Sequence, residues 1–173
     1  MRFRGRSNRG ARGQSVVEFA LILPILLAFF GASVDVARIF QAWITLESAT
    51  RDAAEMAAST STTTGAALTA AKKTVCTQTQ GLPGFQAGTG TPPANIESCT
   101  SPAVTVVSHA CSTSAPGATV KNPIVSVTVQ ATLPFTTLFN YPLIVQDQTW
   151  NLGSTQSYSI VLNRGTTGTL LAC

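Results

Sequence analysis

Residues 14–58 read QSVVEFALILPILLAFFGASVDVARIFQAWITLESATRDAAEMAA. Within them, 19–34 is sixteen residues without a charge, and adding Val16, Val17 and Glu18 makes nineteen. At about 1.5 Å of rise per residue the nineteen reach about 28 Å as a helix, close to the roughly 30 Å hydrocarbon core of a bilayer. Glu18, the one acidic residue, stands at the edge of the run, where a charge costs less than at its centre. A buried core helix has a similar composition but does not need the five arginines that come before this one: Arg2, Arg4, Arg6, Arg9 and Arg12. Basic residues ahead of a membrane-length apolar run follow the positive-inside rule. The N-terminus is therefore expected in the cytoplasm and the C-terminal domain in the periplasm or outside the cell. That is a single pass through a membrane.

A removable signal peptide competes with this reading. It also has a basic start and an apolar centre, and Gly31, Ala32 and Ser33 are small enough to suit cleavage nearby. Two features oppose it: Glu18 interrupts the boundary of the apolar run, and the helical pattern continues past Val34. No cysteine closely follows the run to carry a lipid anchor. Beyond it Val36, Ile39, Phe40, Trp43 and Leu46 recur at intervals of three and four, followed by Ala53, Ala54 and Ala57. Asp35 with Arg38, Glu47 with Arg51 and Arg51 with Glu55 are charge pairs at helical spacing on the opposite face. The spacing predicts one helix over about 14–58, bent at Pro24, with an outer apolar stripe packed on its own domain or on another subunit.

The rest of the chain reads as a small, mostly antiparallel β-containing body, which makes the fold class α+β. Ser59–Gly65 is a hydroxyl-rich break, and 66–73 predicts a short helix with Lys72 and Lys73 in its last turn. Residues 77–117 read mostly as loop, with a strand-like interruption at 103–108. The clearest strand is 124–133, where Val125, Val127 and Val129 alternate with Ser126, Thr128 and Gln130. Residues 158–162 are a further candidate, with 143–146 and 119–121 weaker. Only six aromatics follow Ser59, so the core must be small.

Composition excludes several functions. The formal charge of +4 comes from the tail, since the other 161 residues hold six basic and seven acidic groups. A nucleic-acid partner is not expected of such a body. Charged residues are 10% of the chain against roughly 25% in a typical domain. There are 25 threonines, so the exported surface must be polar without charge. No phosphate-binding glycine loop, G-x-S-x-G or H-E-x-x-H occurs. Acidic residues after Ser59 are limited to Glu97 and Asp147. Neither an enzyme nor a cofactor is expected. Cys76, Cys99, Cys111 and Cys173 are separated by 23, 12 and 62 residues, without the paired spacing of a zinc site, although His109 is near Cys111. In an oxidising compartment they are disulfide candidates, and three complete pairings stay open.

The run RGQSVVEFALILPILLAFFGASVDVAR, with G-Q-S-x-V-E-F-A-L-x-L-P-x-L followed by Asp35 and Arg38, resembles the TadE-like family, pilin-like components of the tight-adherence pilus system. It is also similar to the wider prepilin pattern, a glycine followed after four residues by Glu and an aromatic: Gly13, then Glu18 and Phe19. The resemblance implies cleavage after Gly13 by a prepilin peptidase, with Gln14 as the new N-terminus and Glu18 at the position associated with subunit assembly. It implies a minor pilin-like (pseudopilin) assembly component of a tight-adherence pilus or related secretion apparatus. Its partners would be the peptidase, other pilin-like subunits, inner-membrane secretion components and the lipid bilayer. The expected divisions are a basic cytoplasmic leader (1–13), a transmembrane helix (14–34), its exported continuation (35–58) and a small exported Thr-rich domain (59–173). The alternative is a signal-anchored envelope protein with an exported binding or adhesive domain. In that case Glu18 only starts a helix at the membrane interface, and Gly13 only ends a flexible tail.

Overall fold

The computed structural model describes residues 11–60, 63–112, 124–138 and 149–161. The first element is helix α1, Ala11–Thr60. It covers the expected 14–58 and extends it slightly at both ends. Backbone contacts divide the chain into two units, 1–38 and 39–173.

In the first unit α1 carries Pro24 inside the helix, where the ring removes one backbone donor. Ser33, one of the few hydroxyls of this segment, donates to the Phe29 carbonyl at 2.9 Å, so its polar group is satisfied by its own helix. Asp35 is buried and its Oδ1 lies 3.3 Å from Arg38 Nη1, one turn on. The charge pair read at spacing three therefore forms.

The second unit holds the rest of α1, helix α2 (Thr64–Gln78), the single-turn helix α3 (Ala94–Glu97) and three strands. These are β1 (Ala103–Ser112), β2 (Ile124–Thr136) and β3 (Thr149–Val161). The sheet is antiparallel in the order β1-β2-β3. The expected α+β class, a long N-terminal helix followed by a small antiparallel β-containing domain, is what the chain adopts.

Alternation on β2 sets the layers. Val127, Val129, Ala131, Leu133 and Phe135 are all buried on one face. The first four meet Leu46, Ala53, Ala54, Ala57 and Ala58 of α1 and Ala67, Ala71 and Val75 of α2 in one core. The helices contribute mostly alanine, which removes apolar area from water while letting backbones approach closely. Of the described aromatics after Ser59, Phe135 is the one found among the large fully buried side chains. Pro134 lies within β2, but β1 pairing ends at Thr132, so the proline sits where β2 has a strand neighbour on one side only.

Several local expectations need correction. Helix α2 does not stop at Lys73. It starts at Thr64, capped by the Thr63 hydroxyl accepting from the Ala66 amide at 3.3 Å, and runs to Gln78. Lys72 and Lys73 are therefore not in its last turn, and Lys73 instead reaches Glu97 at 3.0 Å. The stretch read mostly as loop contains α3, and its strand extends beyond Ser108 to Ser112 across a bulge between Val106 and Ser108. Strand β3 begins nine residues before the expected Tyr158. The weaker candidates 119–121 and 143–146 lie outside the described residues.

Candidate assembly surface on the long helix

The residues singled out near the N-terminus fall on α1. Gly13 is in its first turn, and Gln14 and Glu18 stand one turn apart on the same face. Gln14 Nε2 donates to Glu18 Oε1 at 3.1 Å, and both side chains are exposed. Phe19 follows, also exposed. The carboxylate is thus held at the start of the apolar run by a group only four residues away, with its remaining surface open.

From Val16 to Phe30 the large apolar side chains face outward. The most apolar eighteen-residue stretch has a mean hydropathy of 2.2 and only 6% of it is buried. A core helix of a soluble protein would be mostly buried. This one exposes nearly its whole circumference, as a segment solvated by lipid or by neighbouring helices does. It is the one helix among the described residues long and apolar enough to cross a membrane.

Farther along, the helix has two faces that sequence reading merged into one. The expected stripe joined Val36, Ile39, Phe40, Trp43 and Leu46 to Ala53, Ala54 and Ala57. The buried side instead runs through Ala42, Leu46, Ala49, Thr50, Ala53 and Ala57. Phe40, Trp43 and Ile44 are exposed on a different face, Phe40 by 56%. Ile39, next to Phe40, is partly buried. Apart from Leu46, the larger side chains are on the outside and alanines on the inside. The signal that separates them is the alanine repeat at 42, 49, 53 and 57, with Leu46 in phase with it, set apart from 40, 43 and 44.

Cys76 and Cys99 are joined in a disulfide with a Cα–Cα distance of 5.6 Å, and both are fully buried. The bridge ties the end of α2 to the segment after α3, and no free cysteine occurs among the described residues. The side chain of Cys111 and all of Cys173 lie outside them. An open groove runs between α1 and α2, lined by Asp52, Glu55, Met56, Lys73, Thr74 and Gln78. Gln78 Nε2 closes part of it by donating to Asp52 Oδ2 at 2.9 Å. Among the described residues no three His, Cys, Asp or Glu side chains converge as metal ligands.

Residues 13–55 match the family model described as TadE-like protein. That span contains Gly13, Gln14, Glu18, Phe19, the apolar run, the Asp35–Arg38 pair and the exposed Phe40–Ile44 patch. No curated protein and no solved structure matches the chain.

Proposed function

We infer that this chain, TadE-like over residues 13–55, is a minor pilin-like (pseudopilin) assembly component of a tight-adherence pilus or related secretion apparatus. The observation that carries the reading is a helix that exposes an apolar run of membrane length, opens on the Gln14–Glu18 pair and continues directly into a folded α+β body. The part played is one of assembly and not of catalysis.

The mechanism follows from the charges at the helix start. The five tail arginines hold the N-terminus in the cytoplasm and the body on the far side of the inner membrane. A prepilin peptidase cuts after Gly13, where the small residue leaves the backbone accessible. The cut removes all five tail arginines and creates an amine at Gln14. In an apolar surrounding, Glu18 of one subunit pairs with that amine of a neighbour, because an isolated charge costs more there than a pair. Past the membrane, the exposed Phe40, Trp43 and Ile44 offer further apolar area to other pilin-like subunits or inner-membrane secretion components. At about 1.5 Å per residue Trp43 lies about 14 Å beyond Val34, past the hydrocarbon, where protein contact covers it better than lipid.

N-terminal sequencing of protein from cells with an active prepilin peptidase tests the reading. The expected product starts at Gln14 and has 160 residues. A terminus at Met1 would return the chain to a plain signal anchor with an adhesive or binding body. A terminus near Val34 would remove the membrane helix and overturn the architecture. Changing Gly13 to a bulky residue should leave the protein anchored and unprocessed. Changing Glu18 to Ala should permit cleavage and weaken co-sedimentation with pilus components.

A further inference from the structure

Strand β3 forms one edge of the sheet and pairs with β2 without interruption from Thr149 to Val161. Among the described residues nothing bonds to its other side. Long free edges recruit other strands unless something blocks them: a lysine, a proline, a bulge or an inward-pointing charge. The sequence TWNLGSTQSYSIV has none of these. The opposite edge differs, since β1 is shorter and carries the bulge after Val106. Residues at 151, 153, 155, 157 and 159 of β3 are exposed, and all are Asn, Gly, Thr or Ser, so no large side chain overhangs the open edge on that face.

We propose that β3 is the edge through which two copies of this chain join, pairing antiparallel about Thr155. The argument for a second copy is self-complementarity. With Thr155 opposite Thr155 of the other copy, Leu152 stands opposite Tyr158 and Ser154 opposite Gln156 on the core-side face. Asn151 stands opposite Ser159 and Gly153 opposite Ser157 on the outer face. Apolar meets apolar and polar meets polar at these pairs, the pattern that stabilises cross-strand neighbours. Because β3 carries no charge, self-pairing sets no like charges against each other. Trp150, 47% exposed at one end of the strand, comes to stand opposite Ile160 of the second copy. The contact is isologous and closes as a dimer. It is independent of leader cleavage and of the pilus-system reading.

Cross-linking of the full-length chain in membranes tests this. Thr155→Cys, treated with a short bis-maleimide, should give a dimer band absent from wild type. Thr149→Cys should give none, because the two copies of residue 149 lie twelve positions out of register. Absence of the Thr155→Cys dimer, cross-linking at both positions (parallel pairing), or a Thr155→Cys product joined to a different protein would each overturn the proposal. Charge variants guard against misfolding. With two differently tagged copies, capture in detergent should fall several-fold for Thr155→Glu with itself and for Thr155→Lys with itself, and recover when the two are mixed. Capture of Thr155→Glu by itself at the wild-type level would also overturn it.

Discussion

Removing the Cys76–Cys99 bridge should destabilise the α+β body more than any surface change. The bridge closes a segment of sequence separation 23 that has little regular structure of its own. Within it stand α3, only four residues long, and three glycines with positive φ, Gly81, Gly84 and Gly90. Its backbone bonds are turns and isolated contacts such as Gly88 to Asn95, not a ladder. Loop-closure entropy for a segment of this length gives the bridge about 3 kcal/mol. Both cysteines are fully buried, so replacement by alanine adds about 1 kcal/mol for the space left behind. Alanine is the right substitute, because serine would bury two hydroxyls needing partners. The Lys73–Glu97 ion pair spans the same elements, but its side chains are 58% and 34% exposed, so it offsets well under 1 kcal/mol of the loss. Urea unfolding of the full chain in detergent, followed by tryptophan fluorescence, measures the effect. With m of about 1.5 kcal/mol per M, the Cys76→Ala/Cys99→Ala midpoint should fall by about 2.5 M. A fall below about 0.5 M would refute the reasoning, since it would mean the segment is held as well without the bridge.

Gly84 has φ +88 and a Cβ built on it would overlap the Pro134 carbonyl oxygen, so Gly84→Ala should cost about 3 kcal/mol or more. Gly81→Ala, at φ +86 with open space, should cost only about 1 kcal/mol, and the difference in urea midpoint isolates the contact with β2. Leu46→Ala should lower stability by about 2–5 kcal/mol, because Leu46 is in the core. Phe40→Ala on the exposed face should change it by less than about 1 kcal/mol in the same melt while reducing co-sedimentation with pilus components. Lys73→Ala should cost less than about 1 kcal/mol, and 1 M salt should shrink even that.

Local periodicity alone settled much of this protein. An uncharged run of membrane length, an unbroken helical spacing after it and a Val/polar alternation at 124–133 are properties of neighbouring residues, and helix α1 and strand β2 follow from them. The TadE-like resemblance was legible for the same reason, because Gly13, Glu18 and Phe19 lie within a few positions of one another. The partners of these elements were not legible. Three cysteine pairings were open, and the Cys76–Cys99 bridge is selected by a 5.6 Å approach of two backbones that no spacing encodes. The extension of α2 past Lys73 depends on Val75 and Cys76 finding burial, and Lys73 on Glu97 lying nearby. The outer half of α1 shows the division most clearly. Its sequence presents large apolar residues and alanines at overlapping helical spacings, and hydrophobicity alone ranks Phe40 and Ile44 as the better core. The tertiary structure buries the alanines and Leu46, because the core formed with α2 and β2 brings the helix close along most of this face and leaves room for a large side chain at Leu46.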